Sequence, residues 1–292
     1  MDLWNHIASA VAEATGEDFA PGAPRSLGGG CINAAYRLEG EGASYFVKVN
    51  RAAGLEMFEA EADGLREMGA APGLRIPRPV CTGSAAGQAY LVMEYLPLGG
   101  RGDPEALGRG LSGMHRVVRP EFGWWRDNTI GDTPQPNGPE GDWVTFWRRH
   151  RLGFQLELAA RNGHGGRLQQ RGERLLAAMD GLFRDHRPEA SLLHGDLWSG
   201  NYGYTGEGEP VLYDPAVYFG DREADLAMTE LFGGFPRAFY AAYREAWPLD
   251  PGYEVRRTFY NLYHVINHLN LFGGGYATQA QRMTDQVLAE LG

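Results

Sequence analysis

The stretch LLHGDLWSGN, residues 192–201, carries a histidine, an aspartate, a tryptophan and an asparagine around two glycines. Asp196 and Asn201 are five residues apart, and Asp214 follows at the end of the apolar run VLYD, after the turn TGEGEP. A strand, turn and strand would bring Asp214 back beside Asn201, so that two hard oxygen ligands converge on one cation while Asp196 faces a substrate. The alternative is that Asp196 and Asn201 only cap polar turns, which is common for both residue types.

A glycine turn lies far upstream, where a cover for phosphate groups would be needed. Gly28, Gly29 and Gly30 separate two predicted strands, and residues without side chains let backbone N–H groups approach phosphate oxygens. A hairpin turn without any ligand would have the same sequence. The turn therefore supports a nucleotide site only together with other residues.

Lys48 is the one charge in the apolar strand SYFVKVN, and a lone lysine on a half-buried strand usually faces solvent. The following helix offers two possible partners, of which Glu61 adjoins the apolar face and Glu59 points more to solvent. We therefore expect Glu61 to hold the Lys48 ammonium toward the α- and β-phosphates of a nucleotide. Backbone cover, phosphate-binding cation, carboxylate base and magnesium ligands are the parts that phosphoryl transfer requires, so the complete set favours a catalytic interpretation of LLHGDLWSGN.

The composition of the 292 residues narrows the possible partners. Lys and Arg number 27 against 37 Asp and Glu, and a formal net charge of −10 argues against nucleic acid or an anionic membrane as the principal partner. No run of about 18 apolar residues predicts a transmembrane helix, and the first residues indicate an amphipathic helix rather than a secretion signal. Cys31 and Cys81 form neither a disulfide framework nor a metal-ligand spacing, so we expect a cytoplasmic protein.

Patterning along the chain predicts an α+β fold of two lobes. After a first helix, residues 1–95 form a strand-rich N-lobe with one main helix over 54–70, and residues 96–292 form a mostly helical C-lobe. Only two short strands are expected in the C-lobe, around Gly203 and over 211–214. Its predicted helices cover residues 104–118, 142–161, 167–185, 222–232, 236–246, 252–271 and 276–290.

The order and spacing of these residues resemble the protein-kinase-like superfamily, in which an H-x-D-x-x-x-x-N loop supplies the base and a metal ligand. HGD and DPA stand where protein kinases have HRD and DFG, which points to the small-molecule branch that includes aminoglycoside and choline kinases. Within that branch the chain resembles the fructosamine kinase (ketosamine 3-kinase) family over nearly its whole length. The motifs that carry this likeness are GGGCIN (28–33), FVKVN (46–50), MFEAEADGL (57–65), NTIGDTPQPN (128–137), DWVTFWRRHRL (142–152), HGDLWSGN (194–201) and LYDPAVYFGDREADLAM (212–228).

The resemblance implies a kinase-like fold and an ATP- and Mg²⁺-dependent enzyme that phosphorylates the 3-hydroxyl of a ketosamine, which is a sugar joined to an amine by glycation. The phosphorylated adduct is unstable, so the implied role is the deglycation of proteins or the metabolism of glycated amines. By the same resemblance Asp196 is the base, Asn201 and Asp214 bind magnesium, and His194 and Asp225 support the loop. Asp225 is otherwise an ordinary carboxylate in the first turn of a helix.

The resemblance places the adenine site at the connection between the lobes, where backbone groups of Glu94 and Leu96 would contact the base. Without it, YLVMEYL is simply a buried strand.

Several other residues are candidates with open alternatives. The Trp198 indole, beside the base, either stacks on a sugar ring or an apolar amine substituent, or packs the loop. Trp124, and with it Trp125 and Asn137 in the long loop 119–141, are further substrate candidates. Cys31, next to the glycine turn, is either a redox-sensitive thiol or a buried inert one. Three histidines are expected to be structural rather than metal ligands: His115, His264 and His268.

Two other functions are compatible with the sequence. One is a kinase of the same superfamily that acts on another small hydroxyl compound, such as an aminoglycoside or a choline-like amino alcohol. The other is a catalytically silent nucleotide-binding protein, although nothing in a scaffold demands the complete set of Lys, Glu, Asp, Asn and Asp. The sequence leaves open the preferred ketosugar and amine, and the oligomeric state.

Overall fold

A computed structural model describes residues 2–28 and 32–292. The chain forms two compact units: Met1–Asp103 with Gly203–Pro215, and Pro104–Tyr202 with Ala216–Gly292. The first unit contains an antiparallel sheet and the second is mostly helical, which confirms the predicted α+β class. The predicted boundary at residues 95 and 96 stays a prediction, because the first unit also includes a segment from much later in the sequence.

The first unit is built on a five-stranded sheet with the order β1-β2-β3-β5-β4, in which neighbouring strands are antiparallel. Asp2 caps the first helix by accepting a hydrogen bond from the Asn5 amide at 2.9 Å. Ile7 and Val11 of this helix pack in one apolar cluster with strand residues that include Val47 and Val49. The elements are α1 (Leu3–Thr15), β1 (Arg25–Leu27), β2 (Ala34–Gly40), β3 (Ala43–Arg51), α2 (Leu55–Gly69), β4 (Pro79–Ala85) and β5 (Gln88–Glu94).

The second unit surrounds a long, largely buried helix, Tyr253–Phe272. Trp147, Phe259 and Tyr263 are among its largest fully buried side chains. From residue 104 the elements are α3 (Pro104–His115), β6 (Val118–Arg119), β7 (Asn128–Ile130), β8 (Thr133–Gln135), α4 (Trp143–Trp147), a π-helical turn (Arg148–Leu152), α5 (Gly153–Arg161), α6 (Arg167–Ala178), β9 (Ala190–Leu193), β10 (Tyr202–Tyr204), β11 (Pro210–Leu212), β12 (Tyr218–Gly220), α7 (Glu223–Leu231), α8 (Arg237–Ala246), α9 (Tyr253–Phe272) and α10 (Ala277–Leu291). The hairpin of β10 and β11 lies mostly in the first unit.

The long helices predicted from the sequence are confirmed, but the prediction of only two strands after residue 96 is wrong. Seven short strands, β6 to β12, are present in the described residues, and three of them form a sheet with the order β12-β9-β6. Strand β9 is buried at all four positions, so its sequence ASLL has no polar alternation to reveal it. The predicted strand VLYD also ends earlier than expected, at Leu212, so that Asp214 lies beyond it.

Two sequence hypotheses fall on three residues outside the described ranges. Gly29 and Gly30, predicted to cover phosphates, and Cys31, the candidate redox thiol, lie there, so these hypotheses stay predictions. Gly28 follows directly after β1. Cys81 is a half-buried free thiol on β4, and burial raises its pKa to about 11. No helix within the described residues is long and apolar enough to cross a membrane.

Candidate active site

Lys48 lies on the face of β3 opposite to Val47 and Val49, because successive side chains of a strand point to opposite sides. Its ammonium is buried and lies 2.5 Å from Glu61 Oε1, on α2, and 2.7 Å from Asp214 Oδ1. Burial alone would lower the pKa of Lys48, but the carboxylates of Asp214 and Glu61 outweigh it and hold the pKa above its ordinary value. The lysine is therefore a fixed cation, and the choice of Glu61 over Glu59 matches this geometry.

Asp214 has a backbone conformation that residues other than glycine rarely adopt. Its φ is +57°, in the left-handed region, and its side chain remains 47% exposed while it contacts Lys48. Among the described non-glycine residues only Ala86, in the turn between β4 and β5, shares a positive φ. A non-glycine residue in this region costs free energy, and such strain is concentrated at functional sites.

The loop after β9 is held by a buried carboxylate. Asp225, in the first turn of α7, accepts hydrogen bonds from the backbone amides of His194 at 2.7 Å and Gly195 at 2.9 Å. Burial alone would raise the pKa of Asp225, but its bonds to His115 and Gly195 and the nearby His194 lower it below the ordinary value. Asp225 is thus an ionised anchor for the loop.

Asp196 and Asn201 are brought together by a tight turn. The Asn201 side-chain amide donates to the backbone oxygen of Asp196 at 2.8 Å and lies 3.3 Å from its carboxylate Oδ2. The Asp196 backbone amide donates to His194 Nδ1 at 3.2 Å, which leaves the ring proton of a neutral His194 on Nε2. Since the amide nitrogen of Asn201 is used inside the loop, its oxygen is the atom suited to a cation. The convergence of Asn201 and Asp214 on one ion stays a prediction.

Trp198 combines loop packing with exposure. Its ring lies so close to Gly200 that a Cβ added at Gly200 would overlap the indole unless the ring shifted. The side chain is nevertheless 39% exposed, while the neighbouring Leu197 is buried. One face of the indole therefore packs the loop and the rest is accessible.

A buried series of side-chain hydrogen bonds, which the sequence did not predict, ends at the Asp225 carboxylate. The His115 ring on α3 lies 3.1 Å from Asp225 Oδ2 through Nε2, and 2.8 Å from the Tyr243 hydroxyl on α8 through Nδ1. His115 is fully buried, which matches the expectation that it is structural. Tyr243 gave no signal in the sequence, because an apolar helix face uses tyrosine for packing as often as for hydrogen bonding.

The long loop 119–141 is tied to the segment before β12 through amide side chains. Asn128 donates to the Val217 carbonyl at 2.8 Å, and Gln135 donates to the Ala216 carbonyl at 3.0 Å. Asn137 is fully buried; its amide donates to Asn128 and its oxygen accepts from Arg151, at 2.9 and 2.7 Å. Asn137 is thus a packing residue of the loop.

The two tryptophans of the long loop differ in their accessibility. Trp124 is buried, and its ring centroid lies 5.3 Å from that of Trp125. Trp125 is 62% exposed. Of the two substrate candidates, Trp125 is the ring that a ligand can reach.

The residues proposed for adenine lie at the end of β5. The Glu94 carboxylate pairs with Arg75 at 2.6 Å and accepts from the Arg78 amide at 2.7 Å, and the Glu94 amide donates to the Arg78 carbonyl at 2.9 Å. Leu96 follows in irregular backbone and is half-buried. The side chain of Glu94 is therefore committed to the arginines, and an adenine contact would use backbone groups here.

The histidines of α9 are packed, as expected. His264 is buried, and burial lowers its pKa to about 3. The half-buried His268 contacts the His264 carbonyl through Nδ1 at 2.7 Å. Neither belongs to the one cluster with metal-ligand spacing in the described residues, which consists of His186, Asp221 and Glu223.

That cluster is an ion-pair network. Both ring nitrogens of His186 contact carboxylates, Nε2 with Asp221 and Nδ1 with Asp250, each at 2.6 Å. Burial disfavours the charged ring, but the hydrogen bond and charge of Asp221 raise the pKa of His186 above its ordinary value. Glu223 accepts hydrogen bonds from Nε and Nη2 of Arg256, at 2.7 and 2.9 Å. These contacts join α7 and α9 to the segment before β9.

A family model and the sequences of known proteins place this chain in the same family. The sequence model of the fructosamine kinase family matches residues 3–290. A probable ketoamine kinase of Synechocystis sp. is 48% identical over 289 residues, covering 98% of this chain and 97% of that protein. A chloroplastic protein-ribulosamine 3-kinase of Oryza sativa subsp. indica is 44% identical over 270 residues, covering 91% of this chain and 79% of the rice protein.

Solved structures agree on the fold. The crystal structure of a candidate fructosamine-3-kinase from Haemophilus somnus superposes with a TM-score of 0.89 at 27% identity, covering 98% of this chain and 97% of that one. An aminoglycoside phosphotransferase, crystallised with ADP and hygromycin B, superposes with a TM-score of 0.62 at 16% identity, covering 97% and 98% of the two chains. The predicted kinase-like fold is confirmed.

Proposed function

This chain belongs to the fructosamine kinase family, and from that premise we propose that it transfers the γ-phosphate of ATP to the 3-hydroxyl of a ketosamine. Relatives described as a ketoamine kinase and a ribulosamine 3-kinase, over most of their own lengths, support the acceptor class. The observation in the chain itself that carries the proposal is the loop in which Asp196, Asn201 and His194 are joined and anchored to Asp225.

Asp196 is the proposed general base. Its carboxylate orients the 3-hydroxyl and accepts the proton, while the hydroxyl oxygen forms a bond to the γ-phosphorus and the bond from phosphorus to the ADP oxygen breaks. Asn201 and His194 support this assignment, because their hydrogen bonds fix the backbone on both sides of the carboxylate. Positioning of this kind lowers the barrier by removing the cost of orienting the reactants at the moment of reaction.

Lys48 is the proposed phosphate-binding cation, and Asn201 and Asp214 are the proposed magnesium ligands. An amide oxygen and a half-exposed carboxylate are hard donors of the kind that Mg²⁺ prefers, so the residue types fit this ion. When bound, Mg²⁺ neutralises charge on the nucleotide phosphates. Glu61 holds the Lys48 ammonium in place, which lets the lysine bind an anion without first being ordered. The aminoglycoside phosphotransferase of similar fold was crystallised with ADP, which supports ATP as the donor.

The proposed biological role is deglycation. A phosphate on O3 lies next to the C2 carbonyl, and the enolamine form of the adduct can expel it by breaking the C3–O bond. Addition of water to the resulting imine then frees the amine. Small-molecule ketosamines and glycated proteins are both proposed as substrates, and nucleic acid and membranes are not. The predicted cytoplasmic location stays a prediction, since the rice relative is described as chloroplastic.

One experiment tests the proposed function. The protein is incubated with ATP, Mg²⁺ and synthetic fructosamines, ribulosamines, an aminoglycoside and choline, while ADP release is measured and the phosphate is located by NMR. We expect turnover of the ketosamines with phosphate on O3. Turnover of only the aminoglycoside or choline contradicts the proposal. If no substrate is turned over, the result favours the alternative of a catalytically silent nucleotide-binding protein.

The variant Asp196→Asn, with the same size and no basic carboxylate, is the matched control for this experiment. We expect it to lose about 10²–10⁴-fold in kcat, the usual contribution of a general base, and to retain ATP binding. Undiminished turnover contradicts the assignment of Asp196 as the base.

A further inference from the structure

Arg151 is a buried cation whose hydrogen-bond partners are neutral groups. Its guanidinium donates to the Pro136 carbonyl and to Asn137 Oδ1, each at 2.7 Å, and the side chain is fully buried. Within the described residues no carboxylate forms an ion pair with it, and its Nε has no hydrogen-bond partner. Burial of a cation without an opposite charge costs free energy, and an apolar side chain would fill the same space without that cost. Packing alone therefore does not account for an arginine at this position.

The direction of Arg151 depends on the π-helical turn Arg148–Leu152. Such a turn contains an extra residue, which shifts the residues after it around the helix axis, and π-helical turns are frequent at functional sites. The Arg149 side chain of this turn is 65% exposed, whereas Arg151 points into the interior. A Cβ added at Gly153 would lie 2.1 Å from the Arg148 carbonyl oxygen, so the turn also depends on the glycine that follows it. The local backbone is thus specialised to bury this one arginine.

One aromatic ring separates Arg151 from the loop that contains Asp196. The guanidinium carbon lies 3.9 Å from the ring centroid of Tyr218, on β12. A Cβ added at Gly195, directly before Asp196, would lie 3.4 Å from the same ring. Tyr218 is also in register with Leu193, so β12 pairs with the strand that leads into the loop. A displacement of the Tyr218 ring would therefore act on the backbone next to the proposed base.

A second tyrosine lies within electrostatic reach of both charges. The Arg151 guanidinium carbon lies 6.0 Å from the ring centroid of Tyr263, on α9. Burial raises the pKa of Tyr263 to about 12, and the Arg151 cation opposes this rise while the Asp196 carboxylate adds to it. The Tyr263 hydroxyl donates to Gln135 Oε1 at 2.8 Å. One buried side chain is thus a neighbour of the arginine, of the long loop and of the proposed base.

The long loop 119–141 is connected to the loop after β9 by two routes. Both acceptors of Arg151 described above belong to the long loop, and the Tyr218 ring links the arginine to the loop after β9. On the other route, Gln135 donates to the Ala216 carbonyl at 3.0 Å, and the Ala216 amide donates to the His194 carbonyl at 2.8 Å. Only the route through the arginine includes a charged group.

We propose that Arg151 is a positioning residue for the acceptor substrate, which fixes the long loop against the loop after β9 and so places the bound ketosamine relative to Asp196. This rests on the proposed function and adds to it a residue that acts through its neighbours. The planar guanidinium suits the role, because it donates to two acceptors while its face stacks on a ring, and a lysine ammonium has no such plane. Trp125, the accessible ring of the long loop, is thereby held in a fixed place.

Arg151→Lys tests the proposal, because it keeps the charge and removes the planar fork. We measure kcat and KM for ATP and for the ketosamine that the unmodified protein turns over fastest, and compare ADP release with the phosphorylated ketosamine formed. Arg148→Lys is the matched control: it is the same substitution in the same turn, at an arginine that pairs with Asp180 at 2.6 Å instead of the long loop. Urea unfolding measures how much of each variant is folded under the assay conditions.

We expect Arg151→Lys to lower kcat for the ketosamine roughly ten- to hundredfold, because a small displacement of the acceptor hydroxyl has a large effect on rate. The KM for ATP stays within about twofold, and ADP release exceeds ketosamine phosphorylation because water competes with the misplaced hydroxyl. A purely structural role would only lower the folded fraction, which changes neither the KM for ATP nor the ratio of ADP to product. Arg148→Lys stays within about twofold in each quantity.

Asn137→Ala is the second variant, since it keeps the cation and removes its side-chain acceptor on the long loop. We expect a fall in kcat of about three- to tenfold, smaller than that of Arg151→Lys because the Pro136 carbonyl remains as an acceptor. If Arg151→Lys does not fold, Asn137→Ala decides by the same measurements.

The outcomes separate the two proposals. If the unmodified protein turns over no ketosamine, the proposed function fails and the role of Arg151 fails with it. If it does, a fall in kcat beyond the loss of folded protein supports the positioning role. A fall only in proportion to the folded fraction, an equal fall in Arg148→Lys, or a rise in the KM for ATP of the same size overturns that role and leaves the proposed function intact.

Discussion

Lys48 illustrates at the scale of one residue how far the sequence alone reaches. A lone lysine in an apolar strand is usually exposed, and only the helix that follows, with Glu61 on its apolar side, argued for an ion pair. The structure places the ammonium within 2.7 Å of two carboxylates and buries it. Asp214 could be predicted as a candidate ligand but not as a partner of Lys48, because the two are 166 residues apart and share no local pattern.

Removal of one carboxylate tests the ion pair. In Glu61→Gln, the Lys48 ammonium keeps Asp214 but loses the partner that holds it from α2. Charge-assisted hydrogen bonds contribute about 1.5–3 kcal/mol, so we expect kcat/KM for ATP to fall roughly ten- to hundredfold. Steady-state kinetics with varied ATP measures this.

The same change at Glu59 is the control, since Glu59 lies on the same helix and is not among the contacts of the ammonium described above. We expect Glu59→Gln to remain within about twofold of the unmodified protein. Equal losses in the two variants would contradict the role assigned to Glu61.

At the scale of elements, length decides what the sequence predicts. Helices such as α9, with 20 residues, repeat their apolar positions often enough to be recognised, whereas β6, with two residues, shows no period at all. The loop after β9 was recognised from its residues, yet its supports were not. His115 and Tyr243 come from helices far apart in the chain, and only the fold brings them to Asp225.

The loop after β9 also depends on a glycine. Gly195 has a φ of +81°, and a Cβ there would overlap the Ala216 carbonyl. We expect Gly195→Ala to lower the free energy of unfolding by about 1–3 kcal/mol and to reduce turnover, because the amide that donates to Asp225 must move. Urea unfolding and ADP release measure the two effects.

Gly165→Ala is the control for this variant. A Cβ at Gly165 meets open space, and the φ of Gly165 is not in the left-handed region. The free energy of unfolding of Gly165→Ala should therefore stay within about 0.5 kcal/mol of that of the unmodified protein. If Gly195→Ala behaves like Gly165→Ala, the backbone of the loop is less constrained than its contacts indicate.

At the scale of the molecule, the second unit combines a large aromatic core with buried ions, whereas the sequence predicted only its helices. Apolar periodicity predicted α9. The pairing of Glu223 with Arg256, and of His186 with two aspartates, depends on which elements the fold brings into contact. Buried charges cost free energy unless they are paired, so the stability that this network contributes depends on pH.

The network predicts how stability changes with pH. The pKa of His186 is raised in the folded state, so its stabilising contribution is complete below the unfolded value of about 6.5 and is lost as pH rises toward the folded pKa. The pKa of Glu223 is raised to about 7 by burial and by Asp221, so it acts in the same direction between its ordinary value and about 7. His150, His264 and His268 have lowered pKa values, so they add stability as pH rises but only below about 6.5.

Since the opposing histidines become mostly neutral in both the folded and the unfolded state as pH rises above about 6.5, their effect on stability fades there and that of His186 remains. We expect the free energy of unfolding, measured with urea between pH 6.5 and 9, to fall with rising pH in the unmodified protein and to fall less in His186→Gln. The difference between the two proteins is then largest at pH 6.5 and shrinks as pH rises, because the unmodified ring loses its charge while glutamine has none to lose. His164→Gln, in the loop between α5 and α6, should retain the full slope. Parallel curves for the unmodified protein and His186→Gln would mean that the ring is not a cation held between Asp221 and Asp250 in the folded state.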